Sequence, residues 1–174
     1  MASSSVRPAT VEDAAAIASL QLLVWQQAFA AVLPAAALAT DPAVHAGSWA
    51  ARIDAGGTVL LATEGAEAVG FAAVGADVDW HNLLDPVGEI EVLYVVPRWG
   101  RRGHGGRLLA AAAAALRVTG ARTGRWWVPA ADRATARFLI AAGWAEDGVR
   151  RKLDTGASPI VEQRWSGSLD LVAV

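Results

Sequence analysis

The amino-acid sequence predicts an α+β fold, with a mixed, mostly antiparallel central sheet of six to seven strands and helices on both faces. Three observations predict it. A hairpin pattern follows the N-terminal helical region, a strand–loop–helix–strand unit occupies the centre, and two strand patterns close the chain. Since 174 residues suffice for one hydrophobic core and no long linker interrupts them, a single domain over residues 1–174 is expected.

The chain is predicted to begin with an edge strand and an amphipathic helix. Residues 4–8 suit the strand, because Pro8 stands at its end. Thr10 followed by Asp13 approximates a capping box, which predicts a helix through about residue 30. Four apolar residues are expected on its buried face: Ile17, Leu20, Val24 and Phe29.

A second helical region and a hairpin are predicted next. The helical region starts at Pro34, restarts at Pro42 and continues through Arg52. Residues 58–63 and 68–74 have strand composition with turn residues between them, which is typical of an antiparallel hairpin.

The second half of the chain alternates strands and helices. A loop at 76–87 leads into an apolar strand at 89–96. The other predicted elements are a helix at 107–118, a strand at 123–128, a helix from Asp132 to residue 142, and strands at 144–153 and 160–165. The apolar tail at 169–174 fits none of these patterns.

A glycine-rich basic loop joins the strand at 89–96 to the following helix, which is the layout of an anion site. Three of its residues have no Cβ to block a close ligand: Gly103, Gly105 and Gly106. Backbone N–H groups and the positive end of the helix dipole can therefore converge on phosphate oxygens. Three arginines add full charges: Arg101, Arg102 and Arg107.

The spacing excludes two common phosphate-binding motifs. A dinucleotide fingerprint from Gly103 and Gly105 would need glycine at position 108, which is Leu108. A Walker loop needs a lysine, and the single lysine of the chain is Lys152, far downstream.

The remaining pattern resembles the acyl-coenzyme A loop of the GNAT superfamily of N-acetyltransferases, written Gln/Arg-x-x-Gly-x-Gly/Ala. Here it stands as Gly100-Arg101-Arg102-Gly103-His104-Gly105, after a strand that ends at Pro97. The first position is Gly rather than Gln or Arg, which affects one side-chain contact and leaves the backbone cradle intact.

A second segment, at 132–144, resembles the later motif of the family, Asn-x-x-Ala-x-x-Phe-Tyr-x-x-x-Gly-Phe. It keeps Phe138 and Gly143 in register. Four positions depart from it: Asp132, Thr135, Leu139 and Trp144. Residues 6–10 and the first helix also resemble the family, so the resemblance covers nearly the whole chain.

The resemblance implies an acetyl-CoA-dependent N-acetyltransferase with acetyl-CoA as co-substrate. In the family the strand before the loop carries a bulge and splays from its neighbour, and its main chain near Leu93, Tyr94 and Val95 would bind the pantetheine. The N–H of Val95 or Tyr94 would polarise the thioester carbonyl. The other residues implied in coenzyme binding are Arg101, Arg102, Gly103, His104, Gly105, Gly106, Asp132 and Phe138.

Two carboxylates and a phenol are the candidates for proton transfer. Glu89 and Glu91 share one face of an otherwise apolar strand, and burial raises the pKa of a carboxyl group toward the range that suits a base. Glu89 lies nearer the position of the general base in histone-type members, so it is preferred over Glu91. The family's usual acid position is Leu139, which cannot donate a proton, so either Tyr94 or a water protonates the sulfur, or the thiolate leaves unaided. The alternative for either glutamate is an ion pair with Arg52 or Arg125.

The acceptor side is less defined. Trp25, Phe29 and the following Leu-Pro pair resemble the segment that covers the acceptor cleft in GNAT members acting on small amines, and Trp80 and His81 lie in a loop that could line the same pocket. The resemblance implies a primary amine of a small molecule or peptide. A coenzyme-binding or sensing domain without catalysis is the alternative, since the phenol is missing at Leu139.

Composition limits the remaining classes. The net charge of −2 gives no general attraction to nucleic acid, and no apolar run is long enough for a membrane span. The absence of cysteine excludes an acyl-cysteine intermediate, which predicts direct transfer in a ternary complex. The spacing of the three histidines suggests no metal site. A cytoplasmic location is expected from the N-terminal residues, and the sequence leaves a homodimer open.

Overall fold

The computed structural model describes residues 4–77, 86–155 and 159–171. The helices and strands in chain order are β1 Ser4–Pro8, α1 Ala14–Ala28, α2 Ala35–Leu38, α3 Pro42–Asp54, β2 Thr58–Glu64, β3 Glu67–Ala76, β4 Val87–Val95, α4 His104–Val118, β5 Thr123–Pro129, α5 Arg133–Ala141, β6 Ala145–Leu153 and β7 Ile160–Ser168. Short 3-10 segments, Val11–Asp13 and Pro97–Trp99, precede α1 and α4.

The strands form one seven-stranded sheet in the order β1-β2-β3-β4-β5-β7-β6. β4 pairs with β5 in parallel, whereas the β1–β2, β5–β7 and β6–β7 pairs are antiparallel. The predicted α+β class with a mixed, mostly antiparallel sheet is therefore confirmed.

The described residues form two compact units, and the single domain over residues 1–174 stays a prediction. The first unit comprises residues 4–73 and 92–111. Its core packs one face of α1 against β2 and β3, and the side chains at its centre are Ile17, Leu20, Val24, Val59, Leu61 and Phe71. Three of the four predicted core residues of α1 are thus buried, and Phe29 is half-buried just past its end.

The second unit comprises residues 74–77, 86–91, 112–155 and 159–171. The indole of Trp144 lies at its centre, between two glycines. A Cβ on Gly167 would lie 2.3 Å from the Trp144 ring, and one on Gly124 would lie 2.6 Å from it. Trp144, which stands where the family motif has phenylalanine, therefore fits because Gly124 of β5 and Gly167 of β7 have no side chain against its ring.

One helix start differs from the prediction. α4 begins at His104 rather than Arg107, so Gly105 and Gly106 form its first turn. Glycine has low helix propensity, so the sequence predicts a helix only after Gly105 and Gly106. The first turn tolerates glycine because Arg107 N–H already bonds the carbonyl of Gly103, at 3.0 Å.

The predicted capping box is present before α1. The Asp13 carboxylate accepts a hydrogen bond from the Thr10 backbone N–H at 2.8 Å and two from the Arg7 guanidinium, at 2.6 and 2.8 Å. The Arg7 bond is the largest cause that holds the pKa of Asp13 well below its usual range. This carboxylate therefore ties β1 to the helix that follows it.

We expect Asp13→Asn to lower the free energy of unfolding by about 1 kcal/mol at pH 7. Because folding lowers the pKa of Asp13, its contribution is complete above about pH 4, the unfolded value, and disappears as the pH falls toward the folded value. Urea denaturation at several pH values measures the difference. Asp54→Asn, at the exposed end of α3, is the control for loss of one charge. A difference from wild type that stays constant down to pH 2 would contradict the assignment.

Candidate active site

The predicted anion site lies in the connection from β4 to α4. Two of its residues have left-handed backbone angles, Arg101 at φ 60° and Gly103 at φ 81°. This conformation is costly for a residue with a side chain, and it turns the chain into α4 at His104. The backbone N–H groups at 104–106 precede the first hydrogen bond of the helix, and N–H groups in such positions can bind an anion.

The arginines of this loop contact the loop itself. The Arg102 guanidinium lies over the ring of Trp99, 4.7 Å from its centre, and Arg107 Nη1 donates to the carbonyl of Arg102 at 3.2 Å. Arg101 and Arg102 are exposed. A Cβ on Gly106 would meet nothing within 4 Å, so open space lies over this turn. The donor set, the positive charge and the open glycine surface fit a diphosphate such as that of coenzyme A.

His104, which the resemblance implies in coenzyme binding, has a buried side chain. Its imidazole is 1% exposed. Its Nε2 lies 3.2 Å from Oε2 of Glu64 at the end of β2, without hydrogen-bond alignment. The side chain of His104 is therefore buried behind the loop, while its backbone N–H belongs to the first turn of α4.

β4 carries one more residue than β3 between two backbone hydrogen bonds that join them. The N–H of Val96 donates to the carbonyl of Val69, and the N–H of Asp77 donates to that of Val87. Between these two bonds, β3 advances eight residues, from Val69 to Asp77 (77 − 69). Over the same interval β4 advances nine, from Val87 to Val96 (96 − 87). One extra residue in an antiparallel pair is a β-bulge, as the resemblance implied for this strand.

The ladder between β4 and β5 is short. It joins Val87–Ile90 to Thr123–Trp126, although β4 continues to Val95 and β5 to Pro129. The main chain at Leu93, Tyr94 and Val95 therefore takes no part in the described ladder with β5. A strand that extends past its ladder is the kind of segment along which an extended ligand can bind.

Gly70 in β3 was missed by the sequence analysis. A Cβ at this position would lie 2.5 Å from the carbonyl oxygen of Tyr94 and 3.2 Å from the Cα of Val95. The close approach of β4 to β3 thus needs a residue without a side chain. A lone glycine within an apolar strand pattern is the signal that could have found it.

The two candidate carboxylates differ in their surroundings. Glu91 is exposed, which corrects the expectation of burial. Its Oε1 lies 2.6 Å from the position that a Cβ on Gly75 would take. Glu89 is half-buried and stands in register with Arg125 of β5. The guanidinium of Arg125 donates to the buried carboxylate of Asp77 at 2.6 Å. Glu89 is thus the better-shielded carboxylate, beside a buried ion pair.

Tyr94 belongs to an aromatic cluster in the first unit. Its hydroxyl accepts a hydrogen bond from the indole N–H of Trp25 at 3.2 Å, and its ring lies 5.7 Å from that of Phe29. The ring of His45 packs edge-on against Trp25 at 5.3 Å, with its Nε2 buried and without a hydrogen-bond partner among the described residues. The structure therefore brings the predicted acceptor residues Trp25 and Phe29 beside Tyr94, and His45 packs against the same cluster.

The later motif caps α5. The Asp132 carboxylate accepts from the N–H groups of Ala134 and Thr135, at 3.1 and 3.0 Å, and from the Thr135 hydroxyl at 2.6 Å. Two departures from the family motif thus form one hydrogen-bonded pair. Leu139 is fully buried and Phe138 half-buried. A coenzyme contact by Asp132 or Phe138 stays a prediction.

Two other observations concern the predicted site residues and ligands. Trp80 and His81, predicted to line the acceptor pocket, lie outside the described residues. Within the described ranges, no group of three or more His, Cys, Asp or Glu residues is placed to hold a metal ion. No helix in those ranges has the length and hydropathy to cross a membrane.

The comparison with known families gives the class of protein. The model of the acetyltransferase (GNAT) family matches residues 22–144. Over 121 residues the chain is 39% identical to the aminoglycoside N(6')-acetyltransferase type 1 of Stenotrophomonas maltophilia, covering 68% of this chain and 71% of that protein. The chain belongs to the GNAT family and is an acetyl-CoA-dependent N-acetyltransferase.

Solved structures show the same fold. An N-acetyltransferase from Staphylococcus aureus superposes with a TM-score of 0.76 at 16% identity, covering 97% of this chain and 99% of that one. The protein yncA from Salmonella typhimurium, solved with its cofactor acetyl-CoA, gives a TM-score of 0.71 at 20% identity, covering 98% and 96% of the two chains.

We expect Gly70→Ala to lower the free energy of unfolding by roughly 1–3 kcal/mol, because the new methyl group would overlap the backbone of β4. Chemical denaturation measures this loss. Gly47→Ala is the control, since a Cβ there meets nothing within 4 Å and the site lies in α3, so that variant should gain about 0.5–1 kcal/mol. Equal midpoints for Gly70→Ala and wild type would show that β4 does not need the close approach.

Proposed function

We propose that the protein transfers the acetyl group of acetyl-CoA directly to a primary amine of a small molecule. The observation that supports this proposal is the connection from β4 to the first turn of α4, where left-handed residues, glycines and arginines would together receive an anion. Bound acetyl-CoA supplies an activated thioester. The absence of cysteine from the chain favours direct attack by the amine.

The coenzyme would lie along the loop before α4 and along β4 beyond its ladder with β5. Under the proposal the N–H groups at 103–106, with Arg101 and Arg102, hold the diphosphate. The backbone at Leu93, Tyr94 and Val95 bonds the pantetheine, since the β5 ladder stops before these residues. An N–H of Tyr94 or Val95 would stabilise the oxyanion that develops on the thioester carbonyl.

The acceptor would contact the aromatic cluster of Trp25, Phe29, His45 and Tyr94. Aromatic faces attract cations, and amines are cationic at neutral pH before deprotonation. The relative from Stenotrophomonas maltophilia is named for acetylation of aminoglycosides, which are small polyamines, and this supports a small molecule over a peptide. Trp80 and His81 stay proposed members of this pocket.

Two proton transfers complete the proposal. Glu89 takes the proton from the attacking amine, directly or through water, and Glu91 is the second choice because it is exposed. As the amine nitrogen bonds the acetyl carbon, the carbon–sulfur bond breaks. The departing thiolate takes a proton from Tyr94 or from water. The Tyr94 oxygen accepts a hydrogen bond from the Trp25 N–H, so the phenol keeps its own proton as a donor.

Mass spectrometry with acetyl-CoA and a panel of aminoglycosides, simple diamines and peptides tests the proposal. We expect a mass increase of one acetyl group on at least one small amine, dependent on both coenzyme and protein. Acetylation confined to peptides would overturn the small-molecule assignment. Coenzyme binding by calorimetry without turnover on any amine would favour the non-catalytic alternative.

Glu89→Gln is expected to lower kcat/KM by about 10²–10⁴-fold at neutral pH, because the amine loses its base, while the Kd of coenzyme A stays at the wild-type value. Glu91→Gln is the matched variant, on the same strand and face, and should have the smaller effect. Steady-state kinetics and calorimetry give the two quantities. Unchanged turnover with lowered thermal stability in Glu89→Gln would assign this carboxylate to structure.

A further inference from the structure

Behind the diphosphate loop lies a pair of titratable side chains that the proposed reaction does not use. His104 is 1% exposed and Glu64 is 19% exposed, and Nε2 of the histidine lies 3.2 Å from Oε2 of the glutamate. The Ser4 hydroxyl of β1 donates a hydrogen bond to the same glutamate oxygen. The pair therefore joins the start of α4 to the end of β2 and to β1.

The same imidazole also contacts the other side of the loop. Trp99 packs edge-on against His104, with 6.2 Å between the ring centres, and Arg102 lies over Trp99. A continuous series of contacts thus runs from Glu64 through His104 and Trp99 to a loop arginine. His104 is the first residue of α4, so any change in its ring position moves the helical turn that offers its N–H groups.

The chemistry of the pair suggests more than packing. Burying an imidazole and a carboxylate together is costly unless they interact, and an apolar residue at 104 would fill the space without that cost. The contact with Glu64, in contrast, fixes the position of the ring at the start of α4. Neither ring nitrogen has a hydrogen-bond partner among the described residues, so the Glu64 carboxylate is the nearby group that can orient it.

We propose that His104 and Glu64 are positioning residues for the coenzyme diphosphate. They hold the first turn of α4 in the geometry that receives the anion, and they take no part in acetyl transfer. This inference rests on the coenzyme site of the proposed function. Its consequence is selective: the pair affects donors that carry the diphosphate and leaves donors that lack it unaffected.

The experiment compares two acetyl donors, acetyl-CoA and S-acetylpantetheine, which has the same thioester and no diphosphate. In Glu64→Gln and His104→Leu we expect KM for acetyl-CoA and Kd for coenzyme A to rise about tenfold with kcat unchanged, as for loss of an interaction with a charged group. The kcat/KM for S-acetylpantetheine should remain at the wild-type value. His104→Gln, which keeps an N–H near the glutamate, should restore part of the affinity.

Glu67→Gln is the control, because it removes an equal charge from an exposed ion pair with Arg98 at the start of β3. It should leave both donors unaffected. Glu64→Gln keeps nearly the same volume, so it tests the inference even where His104→Leu fails to fold. Wild-type Kd in the variants, or an equal loss with both donors, would overturn the inference alone. Failure of the unmodified protein to bind coenzyme A would overturn the proposed function as well.

Discussion

The chain reversal between β4 and α4 is the constraint on which the proposed chemistry depends. Extended backbone ends at Val95, and within nine residues (104 − 95) a helix begins with its N–H groups unpaired. Left-handed angles at Arg101 and Gly103 make this reversal, and the arginine has no glycine-like freedom to relieve its strain. Contacts of Arg102, Arg107 and His104 hold the strained segment, so the loop keeps this geometry through contacts of its own chain.

The second constraint is the absence of side chains at positions where backbones approach. Gly70 lets the carbonyl of Tyr94 and the Cα of Val95 come close to β3, and the extra residue of β4 accompanies this approach. A bulge re-aims the groups that follow it, which is how one strand can serve both the sheet and an extended ligand. The same stretch of β4 therefore packs against β3 and would contact the coenzyme in the proposed function.

The departures from the family motifs are explained by local partners. Thr135 in place of alanine donates to Asp132 in place of asparagine, so the two changes preserve the cap of α5. Trp144 in place of phenylalanine fits against Gly167. Leu139 in place of tyrosine lies in the core, which leaves Tyr94, held by Trp25, as the phenol associated with the proposed site. Each substitution has a packing or hydrogen-bond partner in the described structure, and Leu139 leaves the candidate acid on β4 rather than on α5.

The sequence alone determined the element order, the α+β class and the anion loop, because hydrophobic periodicity, glycine and proline positions and motif spacing are local properties of the chain. The sequence analysis placed the start of α4 three residues late. Helix propensity is a property of each residue and does not include the hydrogen bond that closes the first turn. His104 is buried against Glu64, 40 positions away, and Trp25 contacts Tyr94, 69 positions away. The exposure of Glu91 depends on which neighbours cover its face of the strand, among them Gly75, 16 positions away. Such relations are decided by how the elements pack, and so only the tertiary structure could show them.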